Sequence, residues 1–299
     1  MREVRISPTG HFDNAARPYA HIIALPLSAA MGAEITGADV TRLSDAALAE
    51  MQDALWRHKM IYVRGARITH EQHRDFSARW GDFATDAYTQ GVPGVPEVQP
   101  VIKEAETRTR ALFGSGWHTD SAFLPTPPAI STLRSVEVPP FGGDTTWADC
   151  ALALRMLSPA MQAMLAPLKV RMSAEANIAT SLRLEGKALP FASEQAQADA
   201  IAGTAHPLVR THPVKGEKSL YVDEVYACGI DGMTESESRP LLDFLTRHIT
   251  QHAFTCRLRW EPDMLVMWDN RLCLHLAPND YDGYRREMYR TTIAGGVVE

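Results

Sequence analysis

Phe254-Thr255-Cys256-Arg257-Leu258-Arg259-Trp260 alternates apolar and polar side chains over seven positions, the period of a strand with one face buried and the other in water. Glu261-Pro262-Asp263 then supplies turn chemistry, Leu265-Val266-Met267-Trp268 reads as the returning strand, and 288–293 reads as a last one. Upstream, strand-like runs recur at 98–102, 130–138, 207–211 and 220–223. Many short strands and few helices predict a mainly β protein, a sandwich or jelly roll with flanking helices.

Three helices are expected. Ser44 precedes a segment in which Leu48, Met51 and Leu55 share a helical face, ending before the strand-like Ile61-Tyr62-Val63. Thr69 with Gln72 and Thr234 with Glu237 have the spacing of capping boxes. The stretch 175–203 lacks clean periodicity and is expected to be a mobile loop over a site, as is a second long stretch across 84–116. No repeat interrupts the chain, so residues 1–299 read as a single domain.

The 299 residues carry 30 Lys+Arg against 36 Asp+Glu, and 45% are hydrophobic. That balance supports a sizeable core and argues against a nucleic-acid partner, which selects for basic surfaces. Cys150, Cys228, Cys256 and Cys273 form no CxxC pair, so neither a disulfide framework nor a structural zinc site is expected. The first residues contain no long apolar run, and Pro26 and Ser28 interrupt the stretch after Ile22. No signal peptide, no membrane partner and a cytoplasmic location are the expectations.

His-x-Asp occurs three times, at His11-Phe12-Asp13, His73-Arg74-Asp75 and His118-Thr119-Asp120, so the triplet alone says little. The first lies near the N-terminus. The second lies in the Thr69-capped helix, where positions two apart diverge by about 200°. His73-Arg74-Asp75-Phe76 also imitates a kinase catalytic loop, but Trp80 stands where that loop needs asparagine, and no glycine-rich loop accompanies it. His118 and Asp120 lie between Gly114-Ser115-Gly116 and Pro125-Thr126-Pro127-Pro128. In an extended chain, residues two apart project to one side, so this imidazole and carboxylate can meet one metal ion. A two-histidine, one-carboxylate site needs a distant third ligand, for which His206, His212 and His275 are candidates.

Arg286, Met288, Arg290 and Thr292 share one face of the last strand. Two guanidinium groups on one face, about 13 Å apart at 3.3 Å per residue, would be unfavourable if buried without anions. A dicarboxylate and an acidic substrate would supply them.

Trp117-His118-Thr119-Asp120, then Gly142-Gly143-Asp144-Thr145, then Trp268-Asp269-Asn270-Arg271 leading to His275, Arg286 and Arg290 resemble the taurine/2,4-D (TauD/TfdA) family of Fe(II)- and 2-oxoglutarate-dependent dioxygenases. The match runs from about residue 31 to the C-terminus. The resemblance implies a double-stranded β-helix (jelly roll) core, with His118, Asp120 and His275 as iron ligands. It also implies that Thr145 and Arg286 hold the distal carboxylate of 2-oxoglutarate, and that Arg290 faces the substrate's acidic group or assists the co-substrate. The reaction it implies consumes O2, decarboxylates 2-oxoglutarate and hydroxylates a C–H bond. If that carbon carries oxygen or sulfonate, the product collapses and the adjacent bond breaks.

Asp82-Phe83-Ala84-Thr85-Asp86-Ala87-Tyr88 stands where taurine enzymes of this family place histidines. The closest likeness is to aryloxyalkanoate (phenoxypropionate) dioxygenases, which implies a small anionic substrate with its carboxylate near Arg290. Its ring would lie among Tyr88, Leu112, Phe113 and Phe123, and the backbone N–H of Ser121 would reach the anion. The alternatives are a sulfonate or alkyl sulfate dioxygenase of the same family, a zinc hydrolase on the same triad, and a non-catalytic organic-acid-binding jelly roll. A homo-oligomer is expected.

Overall fold

The structure, a computed structural model, describes residues 7–109, 114–186 and 189–298. The first part of the chain forms β1 (Ile23–Pro26), β2 (Ala33–Thr36), α1 (Asp45–His58), β3 (Met60–Val63), α2 (His70–Ala78) and β4 (Gln99–Lys103). The middle forms β5 (Ile130–Glu137), β6 (Thr145–Asp149), α3 (Cys150–Arg155), α4 (Pro159–Leu165), β7 (Lys169–Met172), α5 (Glu175–Glu185) and α6 (Glu194–Ala202). Then come β8 (Thr204–Pro207), β9 (Val209–Thr211), β10 (Lys218–Leu220), β11 (Ala227–Ile230) and α7 (Glu235–Ile249). The chain closes with β12 (Thr255–Leu258), β13 (Leu265–Asp269), β14 (Cys273–Leu276) and β15 (Arg286–Ile293).

The larger sheet runs β1-β2-β3-β13-β5-β15-β4, and a smaller sheet runs β12-β6-β14. The protein is mainly β with flanking helices, and its strands make a double-stranded β-helix core. β13 shows why both faces of the larger sheet are covered. Leu265 and Met267 pack with Met51 and Leu55 of α1, whereas Val266 and Trp268 join the cluster between the sheets that contains Trp147 of β6. Burial on both faces is the reason this strand reads as an unbroken apolar run.

β12 and β13 are not a hairpin. β12 pairs with β6, setting Cys256 opposite Trp147, and β13 pairs with β3 and β5 in the other sheet. The patterns differ for a physical reason: Thr255-Cys256-Arg257-Leu258 keeps Arg257 in water, while every residue of β13 is buried. The connection between them therefore crosses the sandwich, turning at Asp263 with φ of 62°.

The three expected helices form. Ser44 Oγ accepts the Ala47 N–H at 3.1 Å, and Thr69 and Thr234 close their capping boxes with Gln72 and Glu237. The stretch 175–203, expected as a loop, instead carries α5 and α6. Only Ile178 and Ser181 of α5 and Ala200 of α6 are buried, a stripe too narrow to mark a helix in sequence. The caps are conventional: Gly186 ends α5 at φ 69°, and Ser193 Oγ accepts the Ala196 N–H at 3.1 Å. The expected strand at 207–211 breaks at Leu208 into β8 and β9, and the one at 220–223 lies earlier, at Lys218–Leu220. No described helix is long and apolar enough to cross a membrane.

Candidate metal centre

His118 and His275 face each other across an isolated antiparallel bridge, with His118 N–H donating to His275 O at 3.0 Å and His275 N–H to His118 O at 2.8 Å. This tie fixes the imidazole of the loop before β5 against that of β14, with ring centres 4.1 Å apart. Asp120 Oδ1 lies 3.9 Å from His118 Nε2 and 3.8 Å from His275 Nε2. All three residues are buried, and their donor atoms fall within 4.8 Å of one another.

The protonation states suit a divalent cation. Burial holds both imidazoles below their ordinary value, His275 at about 3, so each offers a neutral ring. Burial opposes the charge on Asp120, but Arg290, the two histidines and the Ser131 hydroxyl together outweigh it and hold the carboxyl at about 2. His118 Nδ1–H donates to Gly116 O at 2.9 Å, leaving Nε2 as the lone-pair nitrogen toward Asp120. Two neutral imidazoles and one carboxylate, with open space beside them, are the donor set of a facial triad for non-haem iron.

A second layer sets the carboxylate's orientation. Ser131 Oγ donates to Asp120 Oδ2, Asn270 Nδ2 donates to Ser131 Oγ at 2.9 Å, and Trp268 Nε1 donates to Asn270 Oδ1 at 2.9 Å. Asp223 accepts the Thr119 N–H at 3.3 Å and the Tyr226 N–H at 2.7 Å, which pins the peptide between His118 and Asp120. Sequence reasoning singled out neither Ser131 nor Asp223. Asn270 carried a signal only through its place after Trp268-Asp269.

The other histidines are engaged elsewhere. His212 Nε2 donates to Asp269 Oδ2 at 3.0 Å, and Arg271 grips the same carboxylate through Nε at 2.8 Å and Nη2 at 2.6 Å. His206 Nε2 donates to the carbonyls of Ala122 and Leu124, each at 3.0 Å. His73 lies on α2 with Nε2 2.6 Å from Thr132 Oγ1, and Asp13 pairs with Arg155 and Lys59.

A cavity of about 290 Å³ opens beside the triad. Arg286 lines it, 6% exposed, with Nε and Nη2 both without a hydrogen-bond partner. Burial pushes its pKa down, and Tyr281 is a neighbour that offsets this. Thr145 Oγ1 accepts from Trp260 Nε1 at 2.9 Å, and the Arg286 guanidinium carbon lies 5.7 Å from the Trp260 ring centre. Trp260 thus draws the first residue of β6 and the first of β15 to one end of the cavity. Unpaired buried guanidinium donors are costly, and an anion at this end of the cavity would satisfy them. Lys103, which sequence reasoning missed, lines the same cavity with its Nζ 4.2 Å from the Tyr281 ring centre.

Arg290 also lines the cavity, 9% exposed. Its Nη2 lies 2.6 Å from Asp86 Oδ2 and its Nη1 3.3 Å from Asp120 Oδ1. Tyr88 is on the wall, its hydroxyl 3.0 Å from that of Tyr226, and burial raises its pKa. Phe123 does not reach the wall. It is fully buried behind it, its ring centre 6.1 Å from that of Tyr88 and 5.2 Å from that of Tyr226. Ser121 is not among the lining residues either: it turns the chain at φ 46° and its carbonyl accepts the Leu124 N–H at 3.0 Å. Leu112 and Phe113 lie outside the described residues. Leu189 and Pro190, just before α6, complete part of the rim.

Residues 24–292 match the model of the taurine catabolism dioxygenase TauD, TfdA family. An alpha-ketoglutarate-dependent sulfate ester dioxygenase of Pseudomonas putida is 33% identical over 288 residues, covering 91% of this chain and 89% of that protein. An alpha-ketoglutarate-dependent 2,4-dichlorophenoxyacetate dioxygenase of Cupriavidus pinatubonensis is 29% identical over 293 residues, covering 93% and 99%. The crystal structure of a taurine dioxygenase from Burkholderia xenovorans superposes with a TM-score of 0.78 at 37% identity, covering 93% of this chain and 91% of that one.

Proposed function

Because the chain belongs to the TauD, TfdA family and is an Fe(II)- and 2-oxoglutarate-dependent dioxygenase, we propose that it hydroxylates a small organic acid of the aryloxyalkanoate type. His118, Asp120 and His275 hold the iron in this reading, and Arg286 with Thr145 holds the distal carboxylate of 2-oxoglutarate. Arg290 receives the acidic head of the prime substrate.

The observation that carries the reading is the pair of unpartnered Arg286 nitrogens, buried in the cavity that opens on His118, Asp120 and His275. A zinc hydrolase or a simple acid-binding jelly roll falls away with the family. Ferrous iron, when bound, supplies O2 activation coupled to oxidation of 2-oxoglutarate to succinate and CO2. The chain's own groups supply placement. Neutral imidazoles and an ionised Asp120 are ready to bind without losing protons, Ser131 and Asn270 hold the carboxylate's orientation, and the arginines align the two acids. One oxygen atom enters the substrate as C–OH and the other enters succinate. When the hydroxylated carbon bears an aryloxy oxygen, the hemiacetal releases the phenol and the C–O bond breaks.

A sulfate ester or sulfonate substrate is the second reading, favoured by the name of the Pseudomonas putida relative. Anaerobic addition of Fe(II) and 2-oxoglutarate should produce a weak visible charge-transfer band that His118→Ala abolishes and His73→Ala retains. Persistence of the band in the first variant would overturn the ligand assignment. A panel of acids coupled to succinate formation then distinguishes carboxylates from sulfates and sulfonates.

A further inference from the structure

Trp117, His118, Thr119 and Asp120 send their backbone N–H groups to two distant parts of the chain. His118 donates to His275 O at 3.0 Å and Asp120 to Asn270 Oδ1 at 3.5 Å. Trp117 donates to Glu224 Oε2 at 3.2 Å and Thr119 to Asp223 Oδ2 at 3.3 Å. Successive amides of an extended chain point to opposite edges, so this short run rests one edge on 270–275 and the other on 223–224. The first support carries the third metal-site residue, His275. The second carries none, and its ties are one backbone hydrogen bond, Glu224 N–H to Trp117 O at 3.0 Å, and the two carboxylates.

The two carboxylates are not equivalent, because Glu224 is exposed whereas Asp223 is buried. Asp223 Oδ1 accepts the Tyr226 and Ala227 N–H groups at 2.7 and 3.3 Å, so its own turn fixes the carboxylate whose Oδ2 reaches Thr119. Tyr226 holds that turn in place. Its carbonyl accepts the Ser173 N–H at 2.8 Å, and its ring meets the His118 imidazole edge-on, with 6.4 Å between centres. Burying a carboxylate whose charge is met by peptide N–H groups is costly. An amide side chain has one acceptor oxygen, so a carboxylate is the group of this size that can accept at both ends.

We propose that Asp223 is a positioning residue that sets the spacing and angle at which His118 and Asp120 face one metal ion. This rests on the reading of His118, Asp120 and His275 as the metal ligands. Thr119 is the link between the first two, and the tilt of its peptide decides how the imidazole and the carboxylate converge. Ser131 and Asn270 hold the rotation of the Asp120 carboxylate, whereas Asp223 holds the backbone from which both ligands hang. Thr119 is itself buried. Without Asp223 Oδ2 its N–H has no acceptor on that edge, and the peptide turns away from the geometry that suits the ion.

Asp223→Ser tests this, because a serine hydroxyl can close the turn on Tyr226 but is too short to serve Thr119 as well. Burial pushes the Asp223 carboxyl up to about 7, so Mn(II) is titrated into anaerobic full-length protein at pH 8, where the group is ionised. Electron paramagnetic resonance gives both the affinity and, at saturating Mn(II), the line shape of the bound ion, which reports ligand geometry rather than stability. Asp223→Ser should weaken binding by about 10- to 100-fold and alter that line shape. Asp231→Asn, at an exposed position just after β11, should match wild type in both. Should Asp223→Ser fail to fold, as read by the thermal midpoint of the metal-free protein, Asp223→Asn keeps the size, sets an NH2 group against one of the N–H donors and carries the same expectation. A folded variant whose bound Mn(II) has the wild-type line shape overturns the role of Asp223 and leaves the ligand assignment intact. Failure of wild type to bind Mn(II), or binding that survives His118→Ala, overturns both.

Discussion

Lys103 on β4 and Arg286 on β15 stand directly opposite each other on adjacent antiparallel strands, both buried, and both lie against the ring of Tyr281. Like charges in directly opposed positions are destabilising. Asp282 relieves Lys103 at 3.7 Å, but that carboxylate is 69% exposed and its pairing is screened. An anion in the cavity relieves both cations at once. Lys103→Met should therefore raise the thermal midpoint of the metal-free, co-substrate-free protein and shrink the further increase produced by added 2-oxoglutarate. Differential scanning fluorimetry with and without 2-oxoglutarate measures both, and an unchanged 2-oxoglutarate increment would show that Lys103 does not sense that anion.

Arg286→Gln removes the buried cation at the Trp260 end. Loss of a charged hydrogen-bond donor costs about 1.5–3 kcal/mol, or about 10- to 150-fold in affinity. The apparent requirement for 2-oxoglutarate should rise by that factor, far more than the requirement for the prime substrate. Steady-state kinetics with each substrate varied separately check this, and the reverse pattern would mean that Arg286 and Arg290 have exchanged roles.

Ser131→Ala leaves Asp120 Oδ2 without its hydroxyl donor and Asn270 Nδ2 without its acceptor. Second-layer partners of metal ligands are worth about 10- to 100-fold in metal affinity. Mn(II) binding followed by electron paramagnetic resonance should weaken within that range. Wild-type affinity in this variant would show that the Trp268-Asn270-Ser131 chain does not orient the ligand.

His73 gives the protein an acid-sensitive core away from the metal centre. Burial, reinforced by Arg134, lowers its pKa from the ordinary 6.5 to about 3. The unfolded chain thus binds a proton between those values that the folded chain refuses. Stability contributed by this difference is complete above pH 6.5 and is lost as pH falls toward 3. One proton corresponds to about 1.4 kcal/mol per pH unit, so urea denaturation at pH 6.5 and pH 5 should differ by about 2 kcal/mol through His73 alone. His73→Gln should remove that part of the slope, and a slope identical to wild type would locate the acid sensitivity elsewhere.

Local chemistry in the chain determined α1, α2 and α7, because Ser44, Thr69 and Thr234 satisfy helix N-terminal donors through neighbours three residues away. It also determined the shared face of Arg286 and Arg290, since strand alternation is a property of the backbone alone. The alternation of β12 and the continuous apolar run of β13 were likewise legible, but their assignment to different sheets was not. That depends on which distant surfaces cover each face. α5 and α6 were illegible because so little of either is buried. Which histidine joins His118 and Asp120 was decided by the backbone bridge to β14, with His206 and His212 engaged by other polar groups. The pairing of Asp86 with Arg290 and the opposition of Lys103 and Arg286 belong to the same class. Sequence periodicity encodes which side of an element is buried, whereas charge partners across the sandwich arise only when long-range packing brings the elements into register.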